Sequence, residues 1–297
     1  MNNITVISTS YFSGNHLCRL FNNLIDKSER QHRIHFLVID NTNGEDDKLN
    51  NHLFDVLNLD IIINDGTRLQ RSISHSVALD IGLKHSKSDF TLIIDPDVHI
   101  FKEKWDTFCI NFFKNNDKLV VGAPYPDWKL GKVHDYPSVV FMFFRTQKIR
   151  DLDKSFYPFP KSYIKIKNSI FRKITRLGFL SSKNRLDRSL HLRNFSKSLE
   201  NYFGITSPDT GKNIIEGCRD ELFKSINFEA YYPSKLKNKR ASFSQYYMAK
   251  EFELYFYEEE PFMTHMYGSG VFHWKTDNGS DKNYWIKLIK EIENEIK

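Results

Sequence analysis

The sequence predicts an α/β fold: a mostly parallel central sheet flanked by helices, followed by an irregular, partly helical half. Three observations carry this. Over roughly the first hundred residues, short β-branched runs alternate with segments whose apolar residues recur at helical spacing, the order expected of parallel strands joined by crossover helices. The runs are continuous rather than alternating, as in strands covered on both faces. The 297 residues, 40% hydrophobic and 27% charged, suffice for a proper core and are not those of a disordered chain.

Ile4–Ser8 opens the chain as a strand. Ser13-Gly14-Asn15 turns into a helix marked by Leu17, Leu20, Phe21, Leu24 and Ile25. Ile34–Ile39 is the second strand, ended by the turn formers Asp40-Asn41-Thr42-Asn43-Gly44. Leu49–Leu57 reads as a helix and Leu59–Ile63 as the third strand, closed by Asn64-Asp65-Gly66. A helix over Ser72–His85 carries Ile73, Val77, Ala78 and Ile81 on one face, and Phe90–Ile94 is the fourth strand.

The fourth strand ends in Asp95-Pro96-Asp97. Proline has no N–H to donate, so the ladder should stop there. Both carboxylates then emerge at the carboxyl end of a central strand, where open α/β sheets place ligands. Two anions that close repel, and a shared hard divalent ion, Mn2+ or Mg2+, together with a diphosphate relieves them. The plainer alternative is two aspartates capping the next segment.

Leu119–Ala123 and Val139–Phe144 read as further strands around a turn-rich loop, Pro124–Lys129. Residues 161–200 hold eleven Lys or Arg against two acids, Asp187 and Glu200, interleaved with Ile164, Ile166, Ile170, Phe171, Ile174, Leu177 and Phe179. Such a stretch is a solvated face, a nucleic-acid surface or an anionic-membrane surface. No nucleic-acid module accompanies it, so nucleic acid is not expected. Ser207–Gly211 leads into a helical run to about Phe223, and Thr264–Trp274 into a charged helix, Tyr284–Lys297. The expected division is residues 1–123, then 124–275 with the basic insertion at about 161–200, then a C-terminal helix over 276–297.

The net charge of +6 suits an acidic partner without choosing one. Three scattered cysteines give neither a metal spacing nor a disulfide framework. No leader-like N-terminus and no apolar run of about 20 residues is visible. A cytoplasmic protein is expected.

Gly66, His75, Ala78 and Asp80-Ile81-Gly82, leading into Leu92-Ile93-Ile94-Asp95-Pro96-Asp97-Val98, resemble the GT-A glycosyltransferases. The likeness is to the family 2-like group of bacterial glycan and polysaccharide biosynthesis. It covers about the first 125 residues and fades beyond them, where Pro208–Gly211 and His265–Ser269 look familiar. It implies a GT-A (Rossmann-like) fold and metal-dependent, inverting sugar transfer from a nucleoside-diphosphate sugar to a glycan or lipid-diphosphate-linked acceptor. It also implies peripheral contact with the cytoplasmic face of an anionic inner membrane.

By the same resemblance, Thr9 and Ser10 line the nucleotide, Asp40 meets its base, Asp95 lies near ribose and metal, and Asp97 ligates the metal. A late histidine completes the metal site, His265 before His273. Asp80 departs from the asparagine of many relatives. Arg71 and His75, at i,i+4, share a helix face that suits a diphosphate. Asp209 is either an N-cap carboxylate or the general base, with Glu216 and Asp220 as substitutes. A sugar-phosphate nucleotidyltransferase is the rival enzyme, although no Gly-rich signature follows the first strand. A non-catalytic carbohydrate- or lipid-binding protein is the third reading.

Overall fold

The computed structural model describes residues 3–52, 58–69, 71–158, 162–178, 180–238, 241–266, 275–276, 279–280 and 282–296. Strands β1 (Ile4–Ser10), β2 (Ile34–Asp40), β3 (Leu59–Ile63) and β4 (Phe90–Ile94) pair in parallel, in the order β3-β2-β1-β4. Their connections are α1 (Gly14–Asp26), α2 (Asp47–His52) and α3 (Arg71–His85). The helix expected to reach Leu57 begins at Asp47; residues 53–57 lie outside the described set.

The continuous apolar runs are explained by two cores, one on each face of this sheet. Ile4, Val6, Phe36, Val38, Phe90 and Leu92 face α1, which inserts Leu17, Leu20, Phe21 and Leu24. Ile7, Leu37, Ile39 and Ile93 face α3, which inserts Ala78, Leu79 and Leu83. Close approach of α3 requires Gly82, since a Cβ there would lie 2.6 Å from Ile7 Cγ2.

Val98–Ile100 forms β5, which leaves the first sheet, and α4 (Trp105–Asn111) follows. β6 (Leu119–Gly122) and β7 (Phe141–Arg145) return to it, with β7 antiparallel to both β4 and β6. After α5 (Thr146–Arg150) the basic stretch is helical: α6 (Ser162–Thr175), α7 (Lys183–Arg188) and α8 (Leu190–Phe203). Phe171 of α6 packs on Phe203 of α8, ring centroids 4.6 Å apart. Then come α9 (Lys212–Asp220) and β8 (Lys224–Asn227), which completes the sheet as β3-β2-β1-β4-β7-β6-β8. β4 is its middle strand.

A second, four-stranded sheet was not foreseen. β9 (Glu229–Ala230) precedes α10 (Pro233–Asn238) and α11 (Phe243–Glu251), and β10 (Glu253–Tyr257) and β11 (Glu260–His265) follow. The order is β5-β11-β10-β9, antiparallel throughout. The pair β12 (Lys275–Thr276) and β13 (Gly279–Ser280) precedes α12 (Lys282–Ile296). α12 buries Trp285, Leu288, Ile289 and Ile292 on the second sheet and α11, at helical spacing. No described helix is long and apolar enough to cross a membrane.

Candidate metal centre

The ladder of the first sheet ends as the proline requires: past Ile94, the Asp95 N–H donates to Val140 O at 3.2 Å. The chain then enters the second sheet, where Val98 pairs with His265 and Ile100 with Met263. Met266 N–H donates to Asp97 O at 2.9 Å. Arg19 of α1 ties down the same turn, donating to Val98 O at 2.5 Å and Pro96 O at 3.5 Å. This register carries a histidine from far along the chain to the aspartates.

His265 Nε2 lies 3.3 Å from Asp97 Oδ1 and 3.7 Å from Asp95 Oδ2. Among the described residues, Asp95, Asp97 and His265 are the group whose ligand atoms converge, within 4.8 Å of one another. Behind them, His265 Nδ1 meets Glu253 Oε2 at 2.9 Å, and Glu253 Oε1 pairs with Lys129 Nζ at 2.6 Å. Tyr255 Oη donates to Glu253 Oε2 at 3.1 Å. His75 Nε2 lies 3.8 Å from Asp95 Oδ1 on the open side. The side chains of Asp95 and His75 are 22% and 25% exposed against 4% for Asp97 and His265, so the cluster opens to solvent past the former pair.

Burial pushes the Asp95 carboxyl up, against the pull of His75 and His265. Burial would lower the His265 imidazole, but Asp97 and Glu253 override it and hold it at about 10. Burial would raise Glu253, but Lys129 and His265 bring it down to about 2. The donor set fits a divalent cation: two carboxylates and an imidazole, the far nitrogen of the ring held by a third carboxylate. Asp95, Asp97 and Glu253 against Lys129 leave a deficit of two charges, which one such ion fills. A ligating imidazole surrenders the proton that otherwise shares this task.

The residues expected to contact a nucleotide share one edge. Ser10 pairs with Asp40 in register, and Asp40 with Ile63, at the carboxyl ends of their strands. Thr9 is half-buried beside them. Ser10 Oγ donates to Asp46 Oδ2 at 3.1 Å. Both Asp40 carboxylate oxygens accept from the following turn: Thr42 N–H and Oγ1–H at 2.9 and 2.6 Å, Gly44 N–H at 3.1 Å. Arg71 opens α3, but its side chain, like His273, lies outside what is described.

Asp209 departs from the N-cap reading of the sequence. Its carboxylate caps no helix, since α9 is preceded by Gly211 at φ +90° with no side-chain cap. Oδ2 instead pairs with Lys132 Nζ and accepts from Tyr125 Oη at 3.0 Å. Burial would raise Asp209, but Lys132 holds it below the usual carboxylate range. Lys132 is therefore the group that keeps this carboxylate charged. Glu216 pairs with Lys212 at 2.7 Å on the surface, and Asp220 is exposed. Asp80 accepts from Ser155 Oγ and Phe156 N–H at 2.5 and 2.9 Å and so fastens a loop.

Sequence reasoning missed five residues. Glu253 heads the apolar run Glu-Leu-Tyr-Phe-Tyr, and an acid there signals a buried partner. Lys129 and Lys132 leave one loop for different carboxylates, Glu253 and Asp209, with the Tyr125 ring 5.5 and 4.7 Å from their ammonium groups. Tyr11 and Phe12, directly after β1, are 38% and 50% exposed, and Phe12 sits at φ +54°. Exposed aromatics in a strained turn offer a stacking surface.

The chain is similar to three solved structures of two proteins, among others. One is the mannosyltransferase PcManGT from Pyrobaculum calidifontis in complex with GDP-Man and Mn2+, at TM-score 0.42 and 14% identity over 54% of this chain and 48% of that one. Another is S. aureus TarS 1-349, at TM-score 0.40 and 17% identity over 54% and 51% of the two chains. The third is the same protein in complex with UDP-GlcNAc, at TM-score 0.38 and 18% identity over 52% and 48%. The chain's match thus spans about half the length of each. No family model and no curated protein matches it.

Proposed function

We propose that the protein transfers a sugar from a nucleoside-diphosphate sugar to a hydroxyl of a glycan or lipid-diphosphate-linked acceptor, with inversion. The observation that carries this reading is the convergence of Asp95, Asp97 and His265 at the carboxyl end of the middle strand, with Glu253 behind the imidazole. These three residues would hold the ion, and the mixed oxygen and nitrogen donors favour Mn2+ over Mg2+. Bound there, the ion would supply a Lewis acid for the charge that gathers on a departing nucleoside diphosphate.

Thr9, Ser10 and Asp40 border the edge where base and ribose would lie, with Tyr11 and Phe12 as a stacking face. His75, beside Asp95, donates to a diphosphate oxygen, and Arg71 on the same helix assists. Asp209 takes the proton of the attacking hydroxyl. Lys132 keeps this carboxylate ionised at neutral pH, and its proton affinity rises once an acceptor separates the pair. Tyr, Phe and Trp rings of the second half suit the apolar faces of acceptor sugars.

The test is incubation with a panel of nucleoside-diphosphate sugars and Mn2+, following release of nucleoside diphosphate. Turnover of one donor supports the reading. Pyrophosphate release from a nucleoside triphosphate and a sugar phosphate instead makes the protein a nucleotidyltransferase.

A further inference from the structure

The structure sorts the basic stretch into two populations. Arg176 donates to Leu130 O, Lys183 to the carbonyls of Ala249 and Phe252, and Arg193 to those of Leu186 and Asp187. Lys197 pairs with Glu200 at 2.9 Å. These four cations serve the fold. Among the others, Lys167, Arg172 and Lys173 are exposed on α6, Lys167 with its ammonium 5.3 Å from the Phe171 ring and Arg172 on the side of the helix away from Ile170.

The same helix carries an apolar anomaly. Ile166, Ile170 and Ile174 are 66%, 54% and 41% exposed. At four-residue spacing they form one stripe along about two turns. The opposite side of α6 is already satisfied, with Phe171 on Phe203 and Thr175 buried. So α6 has an inner face that anchors it and an outer aliphatic face that nothing described covers. No acidic residue occurs between Ser162 and Thr175.

We propose that the outer face of α6 docks on an anionic lipid bilayer, with Ile166, Ile170 and Ile174 entering the headgroup–acyl boundary and Lys167 and Lys173, which flank that stripe on either side, meeting the lipid phosphates. Aliphatic side chains flanked by snorkelling cations match such a surface in both chemistry and charge. A second copy of the chain would bring like charges together. A phosphate backbone alone would leave the isoleucines without an apolar partner. The inference names a partner for the acceptor half but does not depend on the transfer chemistry, because the surface needs neither donor nor ion.

The experiment is co-sedimentation of the full chain with vesicles of phosphatidylcholine alone and of phosphatidylcholine mixed with phosphatidylglycerol, at low and high salt. The expected result is binding to the anionic vesicles only, weakened by salt. Ile166→Ser with Ile170→Ser and Ile174→Ser should lower that binding at least about tenfold, as should Lys167→Glu with Lys173→Glu. Circular dichroism and melting establish that both variants fold. Absence of vesicle binding by the wild type, or undiminished binding by the serine variant, overturns the proposal. So does a wild-type dimer that the serine substitutions dissociate, which would make the stripe a contact between copies.

Discussion

Glu253 Oε2 lies 2.9 Å from His265 Nδ1, on the strand antiparallel to the one that carries the histidine. A carboxylate there fixes the ring's orientation and raises the basicity of Nε2, the atom that faces Asp97. Glu253→Gln keeps the shape and loses the charge. We expect it to weaken Mn2+ binding by about 10- to 100-fold while the protein stays folded, as read by titration calorimetry. Glu253→Ala should also cost about 3–5 kcal/mol in chemical denaturation, because buried Lys129 loses the carboxylate it pairs with.

Asp97 is the more enclosed of the two aspartates, with a side chain 4% exposed. In the wild type, Mn2+ with a nucleoside diphosphate should raise the melting temperature, since both bind only the folded state. Asp97→Ala should abolish the Mn2+-dependent part of that rise. An equal rise in the variant would remove Asp97 from the ion's ligands.

His265 gives a pH dependence. Its pKa rises from an ordinary 6.5 to about 10 on folding. In the ion-free protein it therefore contributes stability that is full below about pH 6.5 and is lost as pH rises through about 10. Mn2+ competes with that proton, so Mn2+ affinity should climb with pH over the same interval. Calorimetry at pH 7 in buffers of different ionisation enthalpy should show about one proton released per ion bound.

Asp209 and Lys132 form the second test. Asp209→Asn should lower transfer by about 10²- to 10⁴-fold with little change in donor affinity. Lys132→Met removes the cation that opposes burial, so the Asp209 pKa rises. The acid limb of the rate profile should move to higher pH, with activity lost from the acidic side first. A profile that does not move would take Asp209 out of the proton transfer.

Much of the first sheet was legible because Phe90–Ile94 and its neighbours are buried on both faces, which writes apolarity into every position. Asp95 and Asp97 were legible because a proline separates them at the end of such a run. β5 was not: three residues, Val98–Ile100, carry no period, and their partner strand ends at His265. Pairing between distant segments is set by the tertiary fold, which also hid Glu253 behind the histidine and Lys132 beside an aspartate 77 residues away. The basic stretch misled by its total charge, since Lys183 and Arg176 point inward to carbonyl groups.

His265 occupies the last rung of β11, opposite Val98. Side chains on a strand alternate between faces, so adding or deleting one residue between Pro261 and Thr264 would swing the imidazole to the far side. The same slip would turn Thr264 away from Trp285, whose Nε1–H donates to its Oγ1. The convergence of Asp95, Asp97 and His265 therefore hangs on the frame of one short segment, and a single inserted or deleted codon there would separate the imidazole from both carboxylates.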